Sequence, residues 1–515
     1  MANAMALGLL LVLPAWVNGA ATCDGAPLSA GEVQNVLERA AASLNLQNMT
    51  IAVVDRPGNI LGIFRKPDAT GGDDNLAVSL ARTGAFFSNN QAPLSSRTVR
   101  FISGKHFPPG IKFTPNAALY GIENTNRGCD LNVTFDAGKA VPPAKSVIAG
   151  PCNSIDINQD GCGLGITTGK ADLDDSNPKA VNSGGIAIYR GCKVVGGIGV
   201  VVRDGPDLLP NHAEFAALQG ASEPEGGSEP RLSPLPDLGL PLRDIVVYLD
   251  GIALDFVKQK TQPRDTTPEP PGPLPGGIAP SPPLMGGQDA PEGNLVSPQA
   301  GSLLTLAEVE QIVQQAIDTA NRTRAAIRLP IGRRAKMVIA VGDIDGRILA
   351  LHRMQDSTIF SIDVAVAKAR NVVYFSGADP AAQFDLPGVP AGTAVTNRTI
   401  SFGSQPLYPP GIEGSNPGPF FDLFVQDTDN PCSQGSQAPN ANQNGIVFFP
   451  GSVPLYKDGQ LVGGLGISGD GVEQDDVVSN GGAKGFLPPK AIRADRVRVR
   501  GVRLPFLKFN RNPFR

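Results

Sequence analysis

The amino-acid sequence predicts an α+β fold, with two tandem domains that each pack helices on a mainly antiparallel sheet. Two local patterns support this prediction, and both occur twice in the chain. The first is a capping box, Ser29 with Glu32 and Thr305 with Glu308, in front of an amphipathic segment. The second is a pair of apolar runs about a glycine turn, which is a strong β-hairpin signal. Helices that flank hairpins are typical of the α+β class.

The clearest hairpin lies within residues 337–375. Apolar residues 338–341 precede a turn at Asp345-Gly346, and a second apolar run follows at 348–351. From Ile359 onward the apolar residues recur at helical spacing, with Lys368 and Arg370 among them. We therefore expect a helix that packs on this hairpin.

The two halves of the chain repeat in one order. Residues 51–63, with Gly58 at the turn, match residues 339–351, and residues 96–111 match 397–412. A further hairpin is predicted at 185–202 in the first half and at 451–468 in the second. Similarity in the same order over whole halves indicates a duplicated domain.

A segment rich in proline and glycine, residues 263–299, separates the two copies. It has too few large apolar residues to offset the entropy of ordering, which predicts an extended linker. The first domain then covers residues 22–262 and the second covers 300–515. Residues 137–182 and 426–443 are predicted to be long loops.

Residues 1–21 resemble a signal peptide, because an apolar run too short to span a bilayer precedes small residues. Cleavage would leave no membrane span, and we expect an exported protein, periplasmic or extracellular. Export permits disulfides among the six cysteines, whose pairing the sequence leaves open. A net charge of −4 gives no general reason to expect nucleic acid as a partner.

Two ordered motifs resemble the GlcG/HbpS-like haem-binding family. The first is the hairpin followed by Arg353-Met354, Ser361 and the helix segment 367–369. The second is residues 453–469 followed by Glu473-Gln474-Asp475. The resemblance implies profilin-like domains that assemble into oligomers, and it implies haem or another tetrapyrrole as ligand.

The resemblance places a ligand site mainly in the second domain. Its candidate contacts are His352, Arg353, Met354, Lys368, Glu473 and Asp475. His352 is a possible iron ligand, and the cations could pair with propionates or with another anion. In the first copy Leu80 replaces Lys368, and no counterpart of the Glu473-Gln474-Asp475 run follows Gly199, so we expect a degenerate site there.

Other candidate ligands lie in loops. His106 precedes a Phe-Pro-Pro-Gly segment, and its counterpart in the second copy is near Tyr408, so both are candidate iron ligands or packing anchors. Asp156, Asn158 and Asp160 have the spacing of a calcium loop, but the twelfth position is Thr167 instead of glutamate. An asparagine- and aspartate-rich turn is the alternative to calcium binding.

The sequence contains no Ser-His-Asp arrangement and no nucleotide-binding motif, so a hydrolase or a dehydrogenase has little support. The first hypothesis is therefore a haem-binding protein that handles or senses tetrapyrroles or iron. The alternatives are an enzyme that acts on haem or a small oxygenated acid, with Lys368 and Asp475 transferring protons, and an interaction module with a vestigial site. A homo-oligomer or a protein partner remains open in each case.

Overall fold

The computed structural model describes residues 25–69, 71–104, 118–125, 181–224, 230–249, 251–270, 290–430, 433–438, 440 and 442–514. Within them, helices pack on antiparallel sheets, so the predicted α+β class is confirmed. The predicted signal peptide, His106 and the calcium-loop residues Asp156, Asn158 and Asp160 lie outside the described residues. The same holds for every cysteine except Cys192, so the disulfide pairing stays a prediction.

The first half begins with the predicted capped helix, in which Ser29 accepts from the backbone of Glu32 and the glutamate reaches back. Its elements are α1 (Ala30–Ala42), β1 (Met49–Asp55), β2 (Ile60–Arg65), α2 (Asp74–Phe87), α3 (Ser96–Gly104), β3 (Gly185–Arg190), β4 (Lys193–Asp204), β5 (Asp207–Leu208), α4 (Pro210–Ala221), β6 (Leu232–Ser233), β7 (Tyr248–Leu249) and β8 (Ile252–Ala253).

The second half repeats this order, and Thr305 and Glu308 form the second capping box. Its elements are β9 (Gly293–Val296), α5 (Leu306–Ala320), β10 (Met337–Gly342), β11 (Ile348–Arg353), α6 (Ser361–Ser376), α7 (Pro380–Asp385), α8 (Asn397–Gly403), α9 (Phe421–Asp429), β12 (Ser452–Lys457), β13 (Gln460–Gly469), α10 (Val472–Gly482), β14 (Arg498–Val499) and β15 (Val502–Arg503). The predicted hairpins and the helix after Ile359 are confirmed.

The two main sheets share one strand order, which supports the duplication. Strands β2-β1-β4-β3 of the first sheet correspond to β11-β10-β13-β12 of the second, and all of these pairs are antiparallel. The copies differ at the edges, where β6 extends the first sheet beside β3 and β9 extends the second beside β11.

Each sheet is covered on both faces. Helices α1 and α4 pack on one face of the first sheet and α2 packs on the other; α5, α10 and α6 take the same places in the second. All seven residues of β1 and all six of β10 are buried, which explains why both strands are nearly continuous apolar runs.

The ends of the predicted linker are attached to the domains. Glu269 pairs with Lys66 at 2.7 Å and its amide donates to the carbonyl of Ala42. At the other end, Leu295 and Val296 of β9 are buried against the second sheet. Both ends of the predicted linker thus pack on the domains, and its central residues 271–289 lie outside the described residues.

The two halves pack against each other through the sides of the sheets that carry α2 and α6. The rings of Phe87 and Phe360 stack with centroids 4.1 Å apart and planes 9° apart. The amide of Ile359 donates to the carbonyl of Phe86 at 3.1 Å. Buried apolar residues from both halves form one continuous cluster there. The tandem therefore folds as a pair of joined domains.

In the described part of the chain, no helix combines the length and the apolar character needed to cross a membrane.

Candidate functional site

Helix α6 lies close to β13 because the strand presents glycines to it. A Cβ atom on Gly464 or Gly466 would collide with the carbonyl oxygens of Ala369 or Ala365 on α6. These glycines of β13 therefore allow the close approach of a helix. This close packing fixes the positions of Lys368 and Arg370 on α6.

Lys368 and Asp475 form a buried ion pair that links α6 to α10. The ammonium donates to Asp475 Oδ2 at 3.0 Å and to the carbonyl of Ile467 at 2.7 Å, and it lies 4.7 Å from the ring centroid of Phe449. Lys368 is fully buried and Asp475 is 2 % exposed. Each group is therefore enclosed by the protein and paired with the other in this arrangement.

Burial perturbs the ionisation of both partners. Desolvation lowers the pKa of Lys368, although the carboxylate of Asp475 opposes that shift. Desolvation also raises the pKa of Asp475 to about 7, against the opposing effect of the ammonium. Asp475 Oδ1 is buried and has no hydrogen-bond partner among the described residues. The pair is thus expensive to desolvate and incompletely compensated.

Glu473 belongs to a neighbouring ion-pair network on the same helix. It lies 3.1 Å from the ammonium of Lys508 and 3.7 Å from the guanidinium of Arg398. Arg398 also donates to Asp476, whose Oδ2 accepts from the amide of Lys508 at 2.9 Å. Glu473 therefore has cationic partners within the protein.

The residues at the end of β11 are held by local contacts. Arg353 is 2 % exposed. Its Nε donates to the carbonyl of Ser357 and its Nη1 donates to the carbonyl of Ala290, both at 3.0 Å. Met354 is buried in the core of the second half. His352 is half-buried, with Nδ1 2.7 Å from Asn294 Oδ1, and burial lowers its pKa.

The first half has an apolar replacement for the buried ion pair. Leu80 and Ala213 lie next to Gly184 in the first half, as Lys368 and Asp475 lie next to Gly451 in the second. Leu80 therefore takes the place of Lys368, and Ala213 takes the place of Asp475. Helix α4 is therefore the counterpart of α10, although it does not repeat the Glu473-Gln474-Asp475 run. The repeat was missed because Ala213 shares no chemistry with Asp475.

Helix α4 of the first half keeps one ion pair of the network that Glu473 and Asp476 form on α10. Arg97 pairs with Glu214 at 2.5 Å, and Glu214 accepts from the amides of Lys258 and Gln259 at 2.9 Å. This repeats the contacts of Arg398 with Asp476 and of Asp476 with the amide of Lys508. The repeated pair joins α3 to α4 in the first half and α8 to α10 in the second, so it is structural.

A cleft of about 900 Å³ opens beside the C-terminal half of α6, at the sheet edge formed by β12. Its volume lies in the range of small-molecule and cofactor sites. The lining combines apolar side chains with amides and two phenols, and includes Leu461, Val373, Tyr374, Tyr456, Gln383 and Arg370. Of the candidate ligand contacts predicted from the sequence, none that lies within the described residues lines this cleft.

Arg370 is the charged group buried deepest in the cleft wall, at 1 % exposure. Its Nε donates to the carbonyl of Gly346 at 2.8 Å, which fixes the turn of the β10–β11 hairpin. Desolvation lowers the pKa of Arg370 to about 9, and Asp345 partly opposes the shift. Sequence analysis could have found this residue, because Arg82 repeats it in the first half.

Two tyrosines at equivalent strand positions have different surroundings. In the first half the hydroxyl of Tyr189 donates to the carbonyls of Asn89 and Ala92, at 3.0 and 3.3 Å, and the side chain is fully buried. In the second half Tyr456 lines the cleft, and its hydroxyl has no hydrogen-bond partner among the described residues. Burial raises the pKa of Tyr456 to about 12.

Tyr408 lies away from these groups. Its hydroxyl donates to the carbonyl of Val499 at 3.2 Å, and its ring packs edge-on against Phe402 at 5.7 Å. This environment is that of a packing anchor, the alternative that the sequence left open. Among the described residues, no group of three or more His, Cys, Asp or Glu side chains is arranged to hold a metal ion.

Residues 304–484 match a family model described as "Haem degrading protein HbpS-like". This segment is similar to the HbpS-like family. It contains the cleft wall on α6, the Lys368–Asp475 pair and both motifs of the second half. The predicted family is therefore confirmed, and the duplication is supported by the shared strand order.

Among solved structures, the chain is similar to protein ORFY of Klebsiella pneumoniae, with 19% identity over 35% of this chain and 88% of that chain, at a TM-score of 0.23. A PduOC–haem complex matches with 21% identity over 36% and 94%, at a TM-score of 0.22. A double mutant of HbpS from Streptomyces reticuli matches with 17% identity over 36% and 88%, at 0.21. No curated protein matches the chain.

Proposed function

We propose that the HbpS-like domain binds haem or a related tetrapyrrole. The observation that carries the proposal is the family match over residues 304–484, whose description names haem. The second half also contains a cleft of about 900 Å³ with a mixed apolar and polar lining, as cofactor sites have.

The proposed site is this cleft. Lys368 and Asp475 are closed off from solvent, Glu473 is paired, and Arg353 is bound to carbonyls, so the predicted contacts have little capacity for a ligand. His352 lies on β11, toward the opposite edge of the sheet from β12. These residues support the domain, whereas the cleft is open to a ligand.

Tyr456 is the residue that would hold the iron. A phenol oxygen is one of the protein ligands known for haem iron, and its hydroxyl has no hydrogen-bond partner among the described residues. Tyr374 is less suitable, because its hydroxyl donates to Asp385 at 2.6 Å. Bound haem would supply redox and ligand-binding chemistry at the iron, and the apolar side chains Leu461 and Val373 would exclude water from one face.

Titration of the full-length protein with haemin, followed by absorbance, tests the proposal. We expect saturable binding at one haem per chain. Gln383→Trp, which fills the cleft from an exposed position on α7, should weaken binding, whereas Gln314→Trp on α5 should not. Tyr456→Phe should shift the Soret band, and the matched variant Tyr189→Phe should leave it unchanged.

The outcomes separate the parts of the proposal. Absence of saturable binding to the wild-type protein would refute haem binding. Binding that is unaffected by both Gln383→Trp and Tyr456→Phe would refute the location, and His352 would become the next residue to test.

The second candidate function is enzymatic turnover of haem or of a small oxygenated acid. The family description includes degradation, and the pKa values of Lys368 and Asp475 are displaced toward each other, as in many proton-transfer pairs. Loss of turnover in a folded Lys368→Leu/Asp475→Ala variant would support this function. Retained turnover would leave the pair with a structural role.

The proposal also includes export. Its support is the apolar segment before Gly19, which lies outside the described residues. N-terminal sequencing of the protein from its native source tests it, and a mature chain that begins near residue 22 is the expected result.

A further inference from the structure

Among the described residues, the guanidinium of Arg370 has three hydrogen-bond acceptors, and all are uncharged. Nε donates to the carbonyl of Gly346 at 2.8 Å, whereas Nη1 and Nη2 reach the side-chain oxygens of Asn444 and Asn442 only at 3.3 and 3.5 Å. The last two contacts are at or beyond the long end of the usual range. The terminal nitrogens of a fully buried cation are thus weakly occupied.

A buried cation normally has an anionic partner. The acidic residue that acts on Arg370 is Asp345, but it is exposed on the hairpin turn and forms none of the hydrogen bonds of the guanidinium. Burial of the charge is therefore only partly compensated by the described residues.

An arginine anchors the turn of the equivalent hairpin in both halves. In the first half, Arg82 donates from Nε to the carbonyl of Gly58 at 3.0 Å, which repeats the bond from Arg370 to Gly346. Arg370 also lines the cleft of about 900 Å³. The shared bond explains why both positions are arginine, and the cleft adds a place for a ligand in the second half.

We propose that Arg370 binds a carboxylate of the ligand in the cleft, with Nη1 and Nη2 as the recognising pair. The planar guanidinium matches a carboxylate with two parallel hydrogen bonds, and such charge-assisted bonds are stronger than the long amide contacts they would replace. The amides of Gln383, Gln434, Gln437, Asn440 and Asn442 also line the cleft and can donate to the rest of a polar ligand.

The carboxylate can come from a propionate of a tetrapyrrole or from a free organic acid. In the first case the inference rests on the proposed function, since haem carries two propionates. In the second it stands independently. Direct tests therefore need both kinds of probe.

The experiment compares haemin, haemin dimethyl ester and succinate as probes of the full-length protein, with the two porphyrins in the same micellar buffer. Arg370→Lys keeps the charge but removes the planar fork, and Arg82→Lys is the matched control for loss of the hairpin anchor. Thermal unfolding of both variants checks that each is folded.

We expect the wild-type protein to prefer haemin over its dimethyl ester by about tenfold or more, as one charge-assisted pair provides. Arg370→Lys should lose most of that preference, and Arg82→Lys should keep it. Saturable succinate binding that Arg370→Lys abolishes would assign the site to free acids.

Haemin binding with equal affinity to the ester, or unchanged by Arg370→Lys, would overturn the inference and leave the proposed function standing. Absence of haemin binding together with succinate binding at Arg370 would refute only the proposed function. Absence of binding by haemin and succinate alike would overturn both.

Discussion

The buried pair of Lys368 and Asp475 permits a stringent test, because the first half contains its apolar replacement. Lys368→Leu would introduce the residue found at position 80, but it would leave the carboxylate of Asp475 buried without its cation. The ammonium supplies the hydrogen bond to Oδ2 at 3.0 Å, and Oδ1 already lacks a partner among the described residues. Removing one partner of a buried pair typically costs about 3–5 kcal/mol.

The double variant Lys368→Leu/Asp475→Ala recreates the combination of Leu80 and Ala213. Replacing both charges by apolar groups is often neutral or stabilising by about 1–4 kcal/mol, because neither charge then has to be desolvated. We therefore expect the single variant to lower the unfolding temperature of the second half by about 6–20 °C, at about 2–4 °C per kcal/mol. The double variant should recover most of that loss.

Differential scanning calorimetry of the full-length protein measures these shifts. Lys457→Leu is the matched control, since it breaks a surface pair with Glu308 at 2.7 Å in which the lysine side chain is 43% exposed. Its cost should be about 0–1 kcal/mol. The reasoning would be refuted if Lys368→Leu cost no more than this control, or if the double variant were as unstable as the single one.

Three further results are expected. Burial raises the pKa of Asp55 from 3.8 to about 7, so between these pH values the folded state binds a proton that the unfolded state has lost. The free energy of unfolding should therefore fall as pH rises from about 4 to about 7, by up to about 1.4 kcal/mol per pH unit. Denaturant titrations at several pH values should show a flatter profile for Asp55→Asn, and an unchanged slope would contradict the assignment. Phe360→Ala removes the ring stacked on Phe87 and should cost about 3–5 kcal/mol, with the calorimetric transitions of the halves separating. A single unshifted transition would show that the stacked rings do not hold the halves together. Gly451 has φ +121°, and a Cβ there would crowd the Lys368 ammonium. Gly451→Ala should therefore destabilise the second half by more than about 1 kcal/mol, as measured in a urea titration. Gly459→Ala is the control for the backbone strain alone, because Gly459 has φ +82° but open space around it.

The sequence predicted the elements that depend on a few neighbouring residues. Both capping boxes join residues three apart, and the β10–β11 hairpin depends on Asp345-Gly346 between two apolar runs. The order of these signals in the two halves also revealed the duplication. Such patterns are readable because their backbone geometry and hydrogen bonds are satisfied within one segment.

The environment of each candidate residue could not be predicted in this way. Lys368 and Asp475 are 107 positions apart, and only the packing of α6 and α10 makes them a closed pair instead of ligand contacts. Conversely, Tyr456 and Arg370 line a cleft because the chain after α6 leaves space beside them. In the first half, residues 89–92 pack around Tyr189, the counterpart of Tyr456. The sequence by itself determined the resemblance to the family, the repeat and the hairpins. Tertiary structure decided which side chains are buried partners and which line a cleft, since desolvation and enclosed volume depend on contacts between distant segments.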